Sequence, residues 1–341
     1  MEQYIGWEQF EQAFPIQLNE QQKSAVQSID GPVLLLAVPG SGKTTVLVAR
    51  LGYMIYCRGI DPSQILTVTY TVAATKDMSR RFAGYFGEKL ADRLEFRTIN
   101  GLCAKIISYY GRMIGKTPFE LVQDEKMTAG MLSMIYQQSE HEYATESDLK
   151  TVRTLITYIK NMMLTEKEIL ELDEKAELKI SVIYKEYCRQ LRAKGLMDYD
   201  DQMVYAYTML RSVPELLKHF QELYPYICVD EAQDTSKIQH AIIALLASGT
   251  ENLFMVGDED QSIYGFRAAY PEALLKFEKN YPSAKVLLME ENFRSDARIV
   301  LAADRFIQRN TLRHEKHMKA TRKPASDIRE IALRNRKAQY T

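Results

Sequence analysis

The stretch VLLLAVPGSGKTTVLVARL, residues 33–51, decides the fold. Val33 to Leu36 is a short aliphatic run that reads as a strand buried on both faces. Gly40, Ser41 and Gly42 form the turn, and TTVLVARLGYMIYC continues as a helix. The pattern G-x-x-x-x-G-K-[ST] is met at Gly42, Lys43 and Thr44, with Ala37 in the place of its first glycine. That place mainly demands a small residue at the strand end, so alanine is a mild departure. Gly40 and Gly42 allow consecutive backbone N–H groups to turn toward phosphate oxygens, and the helix N-terminus adds partial positive charge. The loop Ala37, Val38, Pro39, Gly40, Ser41, Gly42, Lys43, Thr44 and Thr45 is therefore expected to bind nucleotide phosphates; the plainer reading is a glycine-rich strand-to-helix turn without a ligand. Lys43 would neutralise the β- and γ-phosphates, and the Thr44 hydroxyl would ligate Mg²⁺.

Working outward, ILTVTY (65–70) reads as a second buried strand, followed by a helical TKDMSRRFAGYF. Strand, loop, helix, strand begins a parallel α/β sheet. Two later apolar runs, YICVDEAQD (226–234) and NLFMVGD (252–258), end in acids, where a parallel sheet presents its ligand site. Asp230 is placed to hold the magnesium's water shell, and Glu231 to orient and deprotonate an attacking water. The plainer reading of such acids is a helix cap.

From about 104 to 220 strand signals vanish. Val152, Leu155, Ile156, Ile159 and Met162 fall on one helical face, and Thr165 with Glu168 forms a capping-box pattern. A helical insertion into the sheet domain is expected. The division is 1–103 and 221–298 for the two parts of the sheet lobe, 104–220 for the insertion, and 299–341 for a linker and the truncated start of a second lobe.

Composition sets the outer bounds. The chain has 341 residues, 46% hydrophobic and 26% charged, enough to bury a sizeable core. Its 44 Lys and Arg nearly match 45 Asp and Glu, so any anion-binding surface must be local. Cys57, Cys103, Cys188 and Cys228 lack C-x-x-C spacing and fit reduced thiols of a cytoplasmic protein. The N-terminus MEQYIGWEQFEQAF lacks the apolar core of a signal peptide, and no apolar run approaches the roughly 20 residues of a membrane span. His314 and His317, in HEKH, do not make the H-E-x-x-H zinc pattern.

Taken in order, LNEQQKSAV, AVPGSGKT, VDEAQD, VGDEDQSIYGFRAA and MEENFRS resemble the motifs of UvrD/Rep/PcrA-type DNA helicases. These are superfamily one motors that typically move 3′ to 5′ on single strands, and the resemblance runs from about Leu18 to Arg298. It implies a RecA-like P-loop NTPase lobe using ATP and Mg²⁺. It implies that Gln22 reads adenine, that Phe293, where tyrosine is usual, stacks on it, and that Gln261 senses the γ-phosphate. Arg294 would stabilise transition-state charge on that phosphate; its plainer role is pairing with a surface carboxylate.

Tyr264, Phe266 and Arg267 stand where the family stacks bases and grips single-stranded DNA; otherwise they fill a loop core. TVTYTVAATKDM and FRTINGLC resemble two further DNA-contacting segments, which puts Tyr70, Thr71, Thr98 and Asn100 on DNA. Val72, Ala73, Ile99 and Asn100 depart from the usual Asn, Lys, Phe and His, which implies a weaker or altered grip. DYDDQM matches a further family stretch and is read as scaffold or cap.

Two motifs expected of the family's second motor lobe, an S-K-G-L-E-F type and an arginine-bearing one near a V-A-L-T-R-A stretch, do not occur in these residues. The basic segment RNTLRHEKHMKATRK is read as a solvated linker, or as a contact to DNA phosphates. The expectation is thus an ATP-binding helicase half, impaired by itself, with single-stranded DNA and a chain supplying the second lobe as partners. The rivals are a non-motor ATP-binding regulatory module and an inactive remnant.

Overall fold

The computed structural model describes residues 4–325 except 264, 266 and 267, together with Asp327 and Ala332. Helices α1 (Trp7–Ala13) and α2 (Glu20–Gln27) precede strand β1 (Val33–Ala37), which turns into α3 (Lys43–Tyr56). Next come β2 (Ile65–Thr69), α4 (Val72–Phe86), α5 (Glu88–Ala91), β3 (Glu95–Thr98) and α6 (Ile99–Ile114). A mainly helical stretch holds β4 (Glu120–Leu121), α7 (Glu125–Glu140), α8 (Glu146–Asn161), α9 (Glu166–Ala176), α10 (Ile180–Ala193) and β5 (Leu196–Met197). It is followed by α11 (Tyr199–Ser212), α12 (Pro214–Leu223), β6 (Tyr226–Val229), α13 (Lys237–Ala247) and β7 (Leu253–Gly257). The chain continues through α14 (Glu272–Leu275), α15 (Phe277–Asn280), β8 (Lys285–Met289), β9 (Glu291–Asn292), α16 (Ala297–Ile307) and β10 (Lys319–Ala320).

Six strands form one sheet in the order β3-β2-β6-β7-β1-β8, and every pairing in it is parallel. The expected α/β parallel sheet is present. Its strands are aliphatic runs because both faces are covered: β1, β2 and β7 are buried at every residue. The two-residue side-chain period divides β1 between two cores. Val33, Leu35 and Ala37 face a core built with α1, α2, α3 and α4. Leu34 and Leu36 face the other, with α6, α11, α12 and α13. Strand β7 lies between β1 and β6, so the loops after these three strands share one end of the sheet.

Helices α7 to α10 close on a separate core of Met131, Leu132, Ile135, Val152, Ile156, Ile159, Ile183 and Leu191. The predicted α8 face is buried at Val152, Ile156 and Ile159, and Thr165 and Glu168 make the predicted capping box of α9. The expected limits 103/104, 220/221 and 298/299 cut α6, α12 and α16. Packing puts α6, α11 and α12 on the sheet and leaves α7–α10 as the separate helical unit. The stretch is also not free of strands, since β4 and β5 pair in parallel over two residues. A two-residue ladder leaves no periodic pattern to read. Asp198 caps α11, accepting from the Asp201 amide at 2.7 Å, and pairs with the buried Lys160 at 2.7 Å, so DYDDQM ties α8 to α11. Among the described residues no helix is long and apolar enough to cross a membrane.

Candidate nucleotide-binding site

The turn after β1 needs glycine at two positions. Gly40 has φ +72°, and a Cβ there would lie 2.8 Å from Arg294 Cβ and 3.0 Å from Asn292 Oδ1. Gly42, at φ +88°, is the N-cap of α3, and a Cβ there would lie 2.9 Å from Gln22 Nε2. Ala37 closes β1 fully buried, which fits its small size. The chain then passes through Val38 and Pro39, and Ser41 closes the turn on itself, its hydroxyl donating to Val38 O at 2.7 Å. Lys43, Thr44 and Thr45 form the first turn of α3, where helical N–H groups lack internal acceptors.

Two elements hold this loop from outside. Gln22 is the N3 residue of the α2 capping box: its Oε1 accepts from Asn19 N at 2.9 Å, and its Nε2 donates to Ser41 O at 2.9 Å. On the other side the buried Asn292 donates from Nδ2 to Pro39 O at 2.7 Å. Asn292 Oδ1 accepts from the Arg294 and Ser295 amides at 2.9 and 2.8 Å, while Phe293 N donates to Gly40 O at 3.0 Å. Phe293 is therefore fixed by its backbone, and its ring is exposed.

The ionisable groups converge on the same loop. Lys43 Nζ is 2.7 Å from Glu231 Oε2, across an interval of 188 residues. Burial would raise the Glu231 carboxyl, but Lys43, Gln233 and Arg294 outweigh it and hold the group below its ordinary value. Glu231 sits at φ +50°, in the left-handed region where a non-glycine residue stores strain of order 1 kcal/mol or more. Such outliers gather at sites whose geometry matters more than local comfort. Asp230 behaves oppositely: burial, then the Glu231 charge, push its carboxyl up to about 6. Its Oδ1 accepts from the Glu231 amide at 3.0 Å. A buried oxygen donor short of positive charge, beside the hydroxyl-bearing start of α3, fits a hard divalent cation such as Mg²⁺.

Gln261 lies in the turn after β7 and donates to Asp258 Oδ2 at 2.7 Å. The connection to Glu231 is one residue, Gln233, which the sequence pattern did not single out. Its Nε2 donates to Glu231 Oε2 at 2.8 Å, and its Oε1 accepts from Asp258 N at 3.0 Å. Asn292 was missed as well. Each is an amide beside a recognised charged or aromatic residue, and a composition pattern gives such a residue no weight. The signal that could have found them is the need to satisfy buried loop amides.

Four of the expected DNA residues, Tyr70, Thr71, Thr98 and Asn100, lie at or just past the ends of the neighbouring strands β2 and β3. Thr69 pairs with Thr98 across β2 and β3, and Tyr70 and Thr71 follow at the strand end, both exposed. Thr71 and Thr98 cap α4 and α6 through their hydroxyl oxygens, each at 3.1 Å, and Asn100 Nδ2 donates to Tyr199 O at 3.0 Å. Tyr264, Phe266 and Arg267 lie outside the described residues. The basic segment does not lie free: Arg313, His314 and Lys316 pack on Asp258, Glu259 and Asp260.

Comparison with known proteins identifies relatives of the whole lobe. The ATP-dependent DNA helicase PcrA of Staphylococcus epidermidis is 33% identical over 301 residues, 88% of this chain and 41% of that protein. The PcrA helicases of Leuconostoc citreum and Staphylococcus aureus are each 32% identical over 302 residues, again 88% of this chain, and 40% and 41% of theirs. The chain thus spans about two fifths of the length of these relatives. The family model of the UvrD/REP helicase N-terminal domain matches residues 18–282, and this chain belongs to that family.

Proposed function

We propose that this chain is the ATP-binding lobe of a DNA helicase, and that it binds ATP with Mg²⁺ and single-stranded DNA. In the complete motor, hydrolysis would drive translocation and unwinding, 3′ to 5′ as the family resemblance implies. The observation that carries the reading is the gathering of Lys43, Asp230, Glu231 and Arg294 around one glycine turn, from separate parts of the chain. A structural ion pair would need two of these groups, whereas phosphate hydrolysis uses all four.

In this reading Thr44 and Asp230 would hold the magnesium, which would supply positive charge to the β- and γ-phosphates. Lys43 leaves Glu231 for the phosphates, a multiply charged partner. Glu231, ionised at neutral pH and steadied by Gln233, takes the proton of the attacking water. Arg294 faces the charge that grows on the transferred phosphoryl group. Phe293 offers a ring face for adenine, and Gln22 fixes the loop from the α2 side. Tyr70, Thr71, Thr98 and Asn100, with Tyr264, Phe266 and Arg267, are assigned to the DNA strand. Unwinding needs a second lobe to close on the nucleotide, and the proposal includes one, carried on further chain or on a partner.

The test is ATP turnover by the 341-residue chain, with and without a single-stranded oligonucleotide, beside Lys43→Ala and Glu231→Gln. DNA-stimulated turnover lost in both variants supports a working site in this lobe. Nucleotide binding without turnover assigns hydrolysis to the two-lobed form. Absence of nucleotide binding in the parent chain refutes the proposal.

A further inference from the structure

The turn after β7 carries three consecutive acids, Asp258, Glu259 and Asp260, all with side chains at most 9% exposed. Three buried carboxylates repel one another and lose hydration, so the turn requires countercharge. The countercharge comes from more than fifty residues later. Lys316 Nζ, itself 1% exposed, lies 3.1 Å from Asp258 Oδ1, 2.7 Å from Glu259 Oε1 and 3.0 Å from Asp260 Oδ2. Arg313 grips Asp260 with a fork, Nε at 2.9 Å from Oδ1 and the terminal nitrogen at 2.6 Å from Oδ2. The His314 amide donates to Glu259 Oε1 at 2.8 Å.

Lys316 is held from behind as well. Its carbonyl accepts from Gln308 Nε2 at 2.9 Å and from Arg313 at 3.1 Å, at the end of α16. Shortly after it, β10 pairs with β9, the strand that ends in Asn292 and leads to Phe293 and Arg294. One segment therefore fastens two parts of the candidate site: the turn bearing Gln261 and the strand bearing Asn292.

We propose that Lys316, with Arg313, is a positioning clamp that sets Gln261 through Asp258, so that nucleotide sensing depends on where the segment 313–320 sits. The relay is short: Lys316 holds Asp258 Oδ1, while Asp258 Oδ2 accepts from Gln261. The backbone of the same aspartate reaches Glu231 through Gln233. Lys316 touches none of the groups assigned to substrate and acts only through Asp258. The proposal rests on the nucleotide-site reading above, and adds a route by which chain beyond residue 320 governs it.

The experiment measures ATP and ADP affinities of the 341-residue chain for the parent, Lys316→Met, Gln261→Ala and the double variant. Removing the ammonium from three buried acids threatens folding, so Lys316→Met/Glu259→Gln, which removes one acid charge with it, is measured alongside. Its fold is checked by circular dichroism. The clamp predicts that both Lys316 variants keep ADP affinity and lose the preference for ATP over ADP by roughly tenfold. It also predicts that Lys316→Met adds nothing once Gln261 is alanine. A merely structural lysine would weaken both nucleotides alike, or act additively with Gln261→Ala, and either result overturns the proposal. A parent chain that binds neither nucleotide refutes the site reading and the clamp with it; failure confined to the variants refutes the clamp alone.

Discussion

Asn292 offers the sharpest test of how the site is built. Its side chain makes three hydrogen bonds, to Pro39 O at 2.7 Å and from the Arg294 and Ser295 amides at 2.9 and 2.8 Å, and it is 3% exposed. Asn292→Ala removes all three and leaves two N–H groups and one carbonyl short of a partner. At about 1 kcal/mol net for each bond the loss is about 3 kcal/mol, and more if water does not reach the orphaned groups. With an unfolding entropy near 2.1 cal/mol/K per residue, a chain of this length should melt about 4 °C lower.

Stability alone would not distinguish Asn292 from any buried amide. The bond to Pro39 and the turn into Arg294 link the phosphate loop to the adenine and arginine positions, so nucleotide affinity must fall too. Thr165→Ala, which strips the cap of α9 far from this site, serves as the control: it should cost about 1 kcal/mol and leave nucleotide affinity intact. The assays are thermal melting and equilibrium binding of a fluorescent ATP analogue. An Asn292→Ala chain that melts with the parent, or melts lower while binding the nucleotide equally well, would refute the reasoning.

Three further outcomes are expected. Lys43→Ala should weaken nucleotide binding roughly 30-fold, as loss of about 2 kcal/mol from a charge-assisted contact implies, read by isothermal titration. His240 is held neutral by burial, its imidazole pushed down to about 4, so its contribution is full above pH 6.5 and fades as pH falls toward 4. His240→Gln should therefore flatten the acid limb of the stability curve by about 3 kcal/mol, measured by urea melts at pH 7 and pH 4. Lys160 is buried against Asp198 and Asp201 at 2.7 and 2.8 Å, and Lys160→Met should destabilise the chain by about 3 kcal/mol or more by leaving two carboxylates without countercharge. Equal denaturation midpoints for that variant and the parent would count against a tie between α8 and α11.

The fold was legible where local physics and global placement coincide. Strands β1, β2, β6 and β7 are aliphatic because both faces are covered, and each ends in the residues that make its loop useful. Strand β8 was not singled out, since KVLLM ends next to acids without a glycine turn and is only partly buried. The helical unit read from apolar spacing, 104–220, is wider than the α7–α10 unit that packing defines. Apolar spacing shows that α6, α11 and α12 are helices without showing which core receives them. Charged and glycine positions of the site were visible because few other roles demand those residues at that spacing. Asn292, Gln233 and Lys316 were hidden because each satisfies a partner distant in sequence. Lys316 even read as part of a solvated basic run, although three carboxylates surround it.

On the proposed reading, hydrolysis would be tied to occupancy through these contacts. Lys43 and Glu231 hold each other at 2.7 Å, so the assigned base is neutralised by the group assigned to bind phosphate. A nucleotide that takes Lys43 leaves Glu231 with Gln233 at 2.8 Å, and Gln233 in turn holds the amide of Asp258 at 3.0 Å. Withdrawing the lysine would let burial, the largest influence on Glu231, act with less opposition and raise its proton affinity. On the proposed reading, then, the chemistry at Glu231 and the position of the segment beyond α16 are two ends of one path of hydrogen bonds and an ion pair, and a change at either end must be felt at the other.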